Sequence, residues 1–155
     1  MDENKKMKTL IICSAILAIL YGAVRSWLIM KLPAGSDRMK EIARAIQVGA
    51  SAYLKRQYIT ISFVAIALFL IIGFVPSLGW TTAISFLVGA IFSGLTGFIG
   101  MNISVRANVR TAEAAKSGMK KALAVAVGGG AVTGMLVVGL ALLGTAGIYF
   151  ITGDL

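Results

Sequence analysis

The sequence predicts an all-α, polytopic integral membrane protein with four transmembrane helices. Of its 155 residues, 58% are hydrophobic and 14% are charged, and the mean hydropathy is +0.89. These values lie outside the usual balance of soluble domains. The apolar residues form four long runs without the alternation of barrel strands, each suited to the roughly 20 helical residues that cross a bilayer. The spans are predicted near residues 10–30, 53–75, 82–105 and 122–150.

The first span follows Lys5, Lys6 and Lys8, an arrangement that secretory signals share. However, the apolar run continues past Arg25 and offers no convincing small-residue cleavage site. A retained transmembrane helix is therefore predicted. Arg25 lies close to Lys31 at the end of the span, and we expect its side chain to snorkel to the interface.

The first connection, residues 31–52, contains a turn followed by an amphipathic pattern. Ser36 or Asp37 is the expected helix cap. From Met39 onward, apolar residues recur at helical spacing opposite Lys40 and Arg44. This pattern predicts a helix that lies at the interface or runs straight into the second span. A basic face that anchors this helix is favoured over a ligand site. The short turn at residues 76–81 then joins the second and third spans.

Small residues recur in the last two spans and predict close helix contacts. In the third span, Gly89, Ser93 and Gly97 lie four residues apart, and Gly100 begins a second line. The fourth span continues the pattern. Its glycines are Gly130, Gly134, Gly139, Gly144 and Gly147. Such residues let helix backbones approach closely in lipid, where association depends on packing.

The stretch MNISVRANVRTAEAAKSGMKK, residues 101–121, combines charged and small residues. If the third helix continues beyond the membrane, Arg106 and Arg110 share a face. They are expected to mark the membrane boundary and brace a helix pair; arginines facing an anionic ligand are the alternative. Asn102 is expected to hydrogen-bond within or between helices, with a role in an ion path as the alternative.

Loop charges predict the orientation of the chain. The loops at residues 31–52 and 106–121, together with the start of the second span, carry eleven Lys and Arg residues. The turn at residues 76–81 carries no charge. Because cytoplasmic loops are rich in Lys and Arg, both basic loops are predicted to be cytoplasmic and both termini outside.

Composition also excludes several classes of function. The chain has no histidine, and its one cysteine, Cys13, lies in an apolar run, so neither a disulfide framework nor a zinc or iron cluster is predicted. The net charge of +9 comes from residues beside apolar spans rather than from a soluble basic face, which argues against nucleic acid. The run VGGGAVTGM lacks the ending of a phosphate-binding loop.

Two segments resemble membrane-bound, ion-pumping inorganic pyrophosphatases. The longer is GFIGMNISVRANVRTAEAAKSGMKKALAVAVGGGAVTGMLVVGLALLG, residues 97–144, and the other is MKEIARAIQVGASAYLKRQY, residues 39–58. Their order and spacing agree with the early part of that family. Two departures are Val48, where the family commonly has glutamate, and Gln57, where it often has an acidic residue. Neither position belongs to the family's hydrolytic motifs.

The resemblance implies that the chain is the N-terminal part of a sixteen-helix pump in the cell membrane. Such pumps hydrolyse pyrophosphate with Mg²⁺, export protons or sodium ions, and pair as homodimers; some members also need K⁺. The family's aspartate-rich metal motif does not occur here. No residue of this chain is therefore predicted to be catalytic, cofactor-binding or metal-binding. The chain is expected to be a fragment that depends on the remaining pump helices and is inactive alone.

Two other hypotheses remain open. The chain could be a self-assembling four-helix membrane protein that acts as a channel or transporter subunit through its small-residue faces. It could also be a basic anchor for cytoplasmic partners or anionic lipids, a hypothesis that rests on Lys40, Arg44 and Lys55.

Overall fold

A computed structural model describes residues 2–153, except for the side chains of Asp2 and Asn4. Four α-helices make up almost all of this range, and no strand occurs within it. The helices are α1 (Asp2–Met30), α2 (Asp37–Phe74), α3 (Gly79–Ala115) and α4 (Met119–Thr152). All four contain stretches long and apolar enough to cross a membrane. The predicted all-helical fold with four such helices is confirmed.

The helices α2, α3 and α4, with 38, 37 and 34 residues, extend well beyond a bilayer core. At 38 residues, α2 measures about 57 Å at 1.5 Å per residue, whereas the hydrocarbon core is about 30 Å thick. The amphipathic stretch after Ser36 runs into the second apolar span without a break. Likewise, α3 continues through Arg106 and Arg110 to Ala115. Much of each basic connection is therefore helical.

The α1–α2 and α3–α4 connections are short and depend on glycine. Gly35, between α1 and α2, has φ +78°, and Gly118, between α3 and α4, has φ +111°. L-residues with side chains rarely adopt such angles, whereas glycine does so without steric cost. At the opposite end, a turn follows α2, and the Gly79 N–H donates to Val75 O at 3.2 Å.

The helices form an open row rather than a closed bundle. In the described part of the chain, α1 packs against α4, α4 against α3, and α3 against α2. A small contact joins α1 to α3, but α2 touches neither α1 nor α4. Neighbours in the row are antiparallel, so the α1–α2 and α3–α4 connections lie at the same end. We call this the basic end.

A cluster of buried apolar residues lies where α1, α3 and α4 meet. Val132 is fully buried, with Ile29, Ile103, Ala107 and Leu136 around it. The outer surfaces remain apolar and exposed, as expected for helices that face lipid or further protein. The second helix contributes nothing to this cluster because it contacts only α3.

Only some of the glycines predicted at helix contacts lie at one. A Cβ atom built on Gly139 would come within 2.7 Å of Ile19 Cγ1, and one on Gly100 within 2.8 Å of Thr133. Gly130 and Gly134, by contrast, are exposed and have no neighbouring atom within 4 Å of the same position. Their line on α4 faces away from both α1 and α3. The expectation that these two glycines contact a neighbour is not met by helices α1 to α3.

Candidate functional site

The basic end gathers most of the charged residues. Its three acidic residues all form ion pairs with a residue three positions away. Lys116 Nζ lies 2.6 Å from Glu113 Oε2. Glu113 therefore pairs with Lys116, three residues later, and not with Arg110, three residues earlier. The other two pairs are Arg38 with Glu41 at 2.7 Å and Lys40 with Asp37 at 3.0 Å. The remaining cations at this end are therefore in excess.

Arg110 joins α3 to the end of α1. Its Nη2 donates to Met30 O at 3.0 Å and its Nε to Leu32 O at 3.2 Å, while Nη1 donates to Arg106 O at 2.7 Å. The last carbonyls of a helix lack partners within the helix, and a cation is favoured at its negative dipole end. Burial lowers the pKa of Arg110 from its usual value, and the charge of Arg106 lowers it further. We call this arrangement the Arg110 clasp.

Arg106 and Asn102 do not take part in the clasp through their side chains. Arg106 is exposed, and the Asn102 side chain donates to Phe98 O of its own helix at 2.9 Å. The two arginines therefore differ in environment although they share a helix face. Of these two arginines, Arg110 is the one whose side chain hydrogen-bonds to another helix in the described part of the chain.

A cavity of about 610 Å³ lies between α2 and α3 near the basic end, and we call it the basic pocket. Three cations, Arg44, Lys55 and Arg106, contribute to its lining, and no acidic residue does. The other lining residues are uncharged. They are Gln47, Val48, Ala50, Ser51, Leu54, Tyr58, Phe98, Met101, Asn102 and Val105.

Tyr58 lies at the inner end of this pocket and joins the two helices. Its hydroxyl donates to Gly94 O at 2.6 Å, and its ring meets Phe98 edge-on. A Cβ on Gly97 would lie 2.9 Å from the same hydroxyl. Sequence reasoning missed this contact, although a tyrosine in the second span opposite closely spaced glycines in the third was a usable signal.

The side chain of Arg25, a residue of α1, packs against α4. A Cβ on Gly128 would come within 2.6 Å of Arg25 Nη2, and Arg25 Nε is buried without a hydrogen-bond partner. The guanidinium thus occupies space that a larger residue at position 128 would remove. Gly128 was not among the predicted contact glycines.

A second cavity, of about 1060 Å³, runs along one side of α3 and α4. We call it the α3–α4 groove. Its lining is uncharged and rich in small and hydroxyl-bearing residues, including Gly89, Ser93, Thr96, Ala141 and Thr145. Small side chains and hydroxyl groups favour close helix packing in membranes.

No group of three or more His, Cys, Asp or Glu residues that could hold a metal ion occurs in the described part of the chain. The three acids at the basic end each sit beside a cation in an ion pair. Since Mg²⁺ sites use oxygen ligands, chiefly carboxylates and water, the arrangement at the basic end does not fit such a site.

Comparison with known proteins gives consistent matches. A family profile described as inorganic H⁺ pyrophosphatase matches residues 16–154. A K⁺-insensitive pyrophosphate-energized proton pump of Methanosarcina mazei is 51% identical over 141 residues, which cover 91% of this chain and 21% of the relative. A K⁺-stimulated pyrophosphate-energized sodium pump of Thermotoga maritima is 39% identical over 140 residues, covering 89% of this chain and 19% of the relative. The chain spans about a fifth of the length of these relatives.

Proposed function

The chain belongs to the inorganic H⁺ pyrophosphatase family, and from this premise we propose that it forms the scaffold helices of a pyrophosphate-driven ion pump. The complete pump would hydrolyse pyrophosphate and export protons or sodium ions. The observation that carries this proposal is the family match, which extends over residues 16–154 and thus over the second half of α1 and all of α2, α3 and α4. The relationship to this family that the sequence motifs indicated is confirmed.

We assign the chemistry of hydrolysis to the rest of the pump. Pyrophosphate with Mg²⁺ requires several oxygen ligands for the metal and cations for the phosphate charge. The acidic residues at the basic end are Asp37, Glu41 and Glu113, each beside a cation. We therefore propose that Mg²⁺, and K⁺ where it is needed, bind to helices other than α1–α4.

The contribution of this chain is to hold neighbouring helices together. The Arg110 clasp fixes α3 to the end of α1, the Tyr58 hydroxyl fixes α2 to α3, and glycine contacts bring α4 against α1. The open row also leaves the α3–α4 groove uncovered by α1 and α2. We propose that a further helix of the same pump occupies this groove, and that the complete pump is a homodimer.

A chimeric pump tests this function. The segment of the Methanosarcina mazei relative that matches this chain is replaced by residues 1–155, and membrane vesicles are assayed for Mg²⁺-dependent phosphate release and for proton uptake. We expect both activities, and expect the isolated chain to have neither. A chimera that reaches the membrane in normal amounts yet hydrolyses no pyrophosphate would contradict the proposal. A discrete, stable oligomer of the isolated chain would instead favour the self-assembling alternative.

Cysteine labelling tests the orientation that we propose, in which the basic end is cytoplasmic and both ends of the chain are outside. In a Cys13→Ser background, Ser77→Cys lies in the α2–α3 turn and Ser117→Cys in the α3–α4 turn. An impermeant maleimide added to intact cells should label the cysteine at position 77 at once. It should label the one at position 117 only after permeabilisation. The reverse order would overturn the orientation.

A further inference from the structure

We propose that the basic pocket binds the phosphate headgroup of an anionic phospholipid. The acyl chains would run along the exposed apolar surface of α2 and α3. This site is separate from the proposed pump chemistry, because it uses neither pyrophosphate nor the transported ion. It rests only on the placement of these helices in a membrane.

Charge is the first support for this proposal. Arg44, Lys55 and Arg106 come from two helices and line one cavity. None of them has a carboxylate partner within 4.0 Å in the described part of the chain, because each acid at the basic end pairs elsewhere. Unpaired cations around a cavity without acidic residues attract an anion, and a phosphate accepts hydrogen bonds from several of them at once.

The pocket combines cations with apolar surface along its length. Arg106 lies eight residues from Phe98 on α3, so the two ends of the pocket are about 12 Å apart along the helix. Toward the outer end, Gln47 adds an uncharged hydrogen-bonding group to Arg44 and Arg106. Toward the inner end, Phe98 and Met101 provide apolar surface, and Lys55 lies one turn from Tyr58, about 16 Å along α2 from Arg44. The apolar surface thus lies next to the cations, as binding of a phospholipid by its headgroup and the start of its acyl chains requires.

Exposure favours a lipid over a free phosphate ion. Phe98 lines the pocket yet remains 53% exposed, and Val48 remains 68% exposed. The acyl chains of a phospholipid held by its headgroup would contact this apolar surface, whereas a phosphate ion has no group that contacts it. Basic pockets between transmembrane helices are known sites for anionic headgroups. Lys40, by contrast, is paired with Asp37 and does not line the pocket.

Native mass spectrometry of the 155-residue chain tests the site. The chain is purified in a nonionic detergent and titrated with phosphatidylglycerol or phosphatidylcholine. We expect one tightly held phosphatidylglycerol and little phosphatidylcholine. Attraction of about 1 kcal/mol per cation predicts that Arg44→Gln, Lys55→Gln and Arg106→Gln together weaken binding about a hundredfold. The charge-preserving combination of Arg44→Lys, Lys55→Arg and Arg106→Lys should retain most of it.

A matched control has the same charge change outside the pocket. Arg56→Gln, Lys120→Gln and Lys121→Gln replace exposed cations that do not line it, and this variant should bind like the original chain. Circular dichroism first establishes equal helix content. An equal loss of phosphatidylglycerol binding in the control would show that the lipid is held only by diffuse attraction to surface cations, and would overturn the proposal. Displacement of the lipid by millimolar inorganic phosphate would also overturn it, in favour of a free-anion site. No pyrophosphate is present, so failure here is distinct from failure of the chimeric pump.

Discussion

At the scale of single residues, glycines on the same helix have opposite surroundings. A Cβ on Gly139 would lie 3.0 Å from Ala15 O as well as close to Ile19, and a backbone oxygen cannot move aside as a flexible side chain can. Gly130 has no such neighbours. The two positions therefore form a matched pair for one substitution.

Gly139→Ala should separate α1 from α4 and lower the free energy of unfolding by about 1–3 kcal/mol, the usual range for overpacking. Gly130→Ala should leave stability unchanged or raise it by up to about 1 kcal/mol, because alanine favours helix more than glycine does. Thermal unfolding in detergent, followed by circular dichroism, measures both. Equal effects of the two substitutions would show that the α1–α4 contact is wrong.

Arg110 offers a second prediction at this scale. Arg110→Gln should lose the donors that reach Met30 O and Leu32 O and cost about 1–3 kcal/mol, since hydrogen bonds from charged donors fall in that range. Arg106→Gln removes the same charge one turn earlier without a side-chain bond to another helix. Hydrogen exchange in residues 31–36 should therefore quicken in the first variant only. Equal exchange rates in both variants would contradict the clasp.

At the scale of helices, the contact between α2 and α3 depends on a polar group within an apolar region. Tyr58→Phe keeps the ring against Phe98 but removes the hydroxyl that donates to Gly94 O. We expect a loss of about 0.5–1.5 kcal/mol, since hydrogen bonds between membrane helices contribute modestly. Tyr53→Phe, at an exposed position of the same helix, is the control. Thermal unfolding compares them, and no difference would assign α2 packing to shape alone.

The sequence predicted the four helices better than it predicted which helices and atoms contact one another. Length and apolar runs gave four spans because a bilayer imposes a minimum length on any helix that crosses it. The sequence predicted that Arg106 and Arg110 brace a helix pair, and the hydrogen bonds to α1 and its end come from Arg110. It did not show that the brace ends on the carbonyls of Met30 and Leu32, since those acceptors belong to the backbone of a distant segment. Similarly, four-residue spacing marks small faces but does not say which neighbour each one meets, as Gly130 and Gly134 demonstrate.

The basic pocket could not be predicted from the sequence, because the sequence does not show how two helices lie against each other. Arg44 and Lys55 lie on one helix and Arg106 on another, so their common cavity depends on how α2 lies against α3. The hypothesis of anionic lipid binding named Lys40 together with Arg44 and Lys55. The structure separates Lys40 from the other two, because Asp37 holds its ammonium group at 3.0 Å. Helix register decides which cations can act together.

At the scale of the whole molecule, the open row leaves helix surfaces that further helices of the proposed pump would cover. Each end helix contacts chiefly one neighbour, and the α3–α4 groove remains accessible between the two central helices. Burial of a groove lined by small residues gives close backbone packing, which is a main source of association in lipid. The side of the row that carries this groove is where the remaining pump helices should attach.

Filling the groove should therefore affect assembly but not the fold of the chain itself. Gly89 lines the groove and has no atom within 4 Å of a built Cβ, so Gly89→Leu should leave the unfolding temperature of the isolated chain nearly unchanged. In the chimeric pump, the same leucine should obstruct a packed helix and reduce assembled, active pump at least fivefold, since overpacking by about 1–3 kcal/mol corresponds to roughly a five- to hundredfold change. Gly49→Leu, which is equally unobstructed but lies outside both cavities, should leave both measurements unchanged. If the chimera with leucine at position 89 assembles and hydrolyses pyrophosphate normally, the groove faces lipid and the attachment side lies elsewhere.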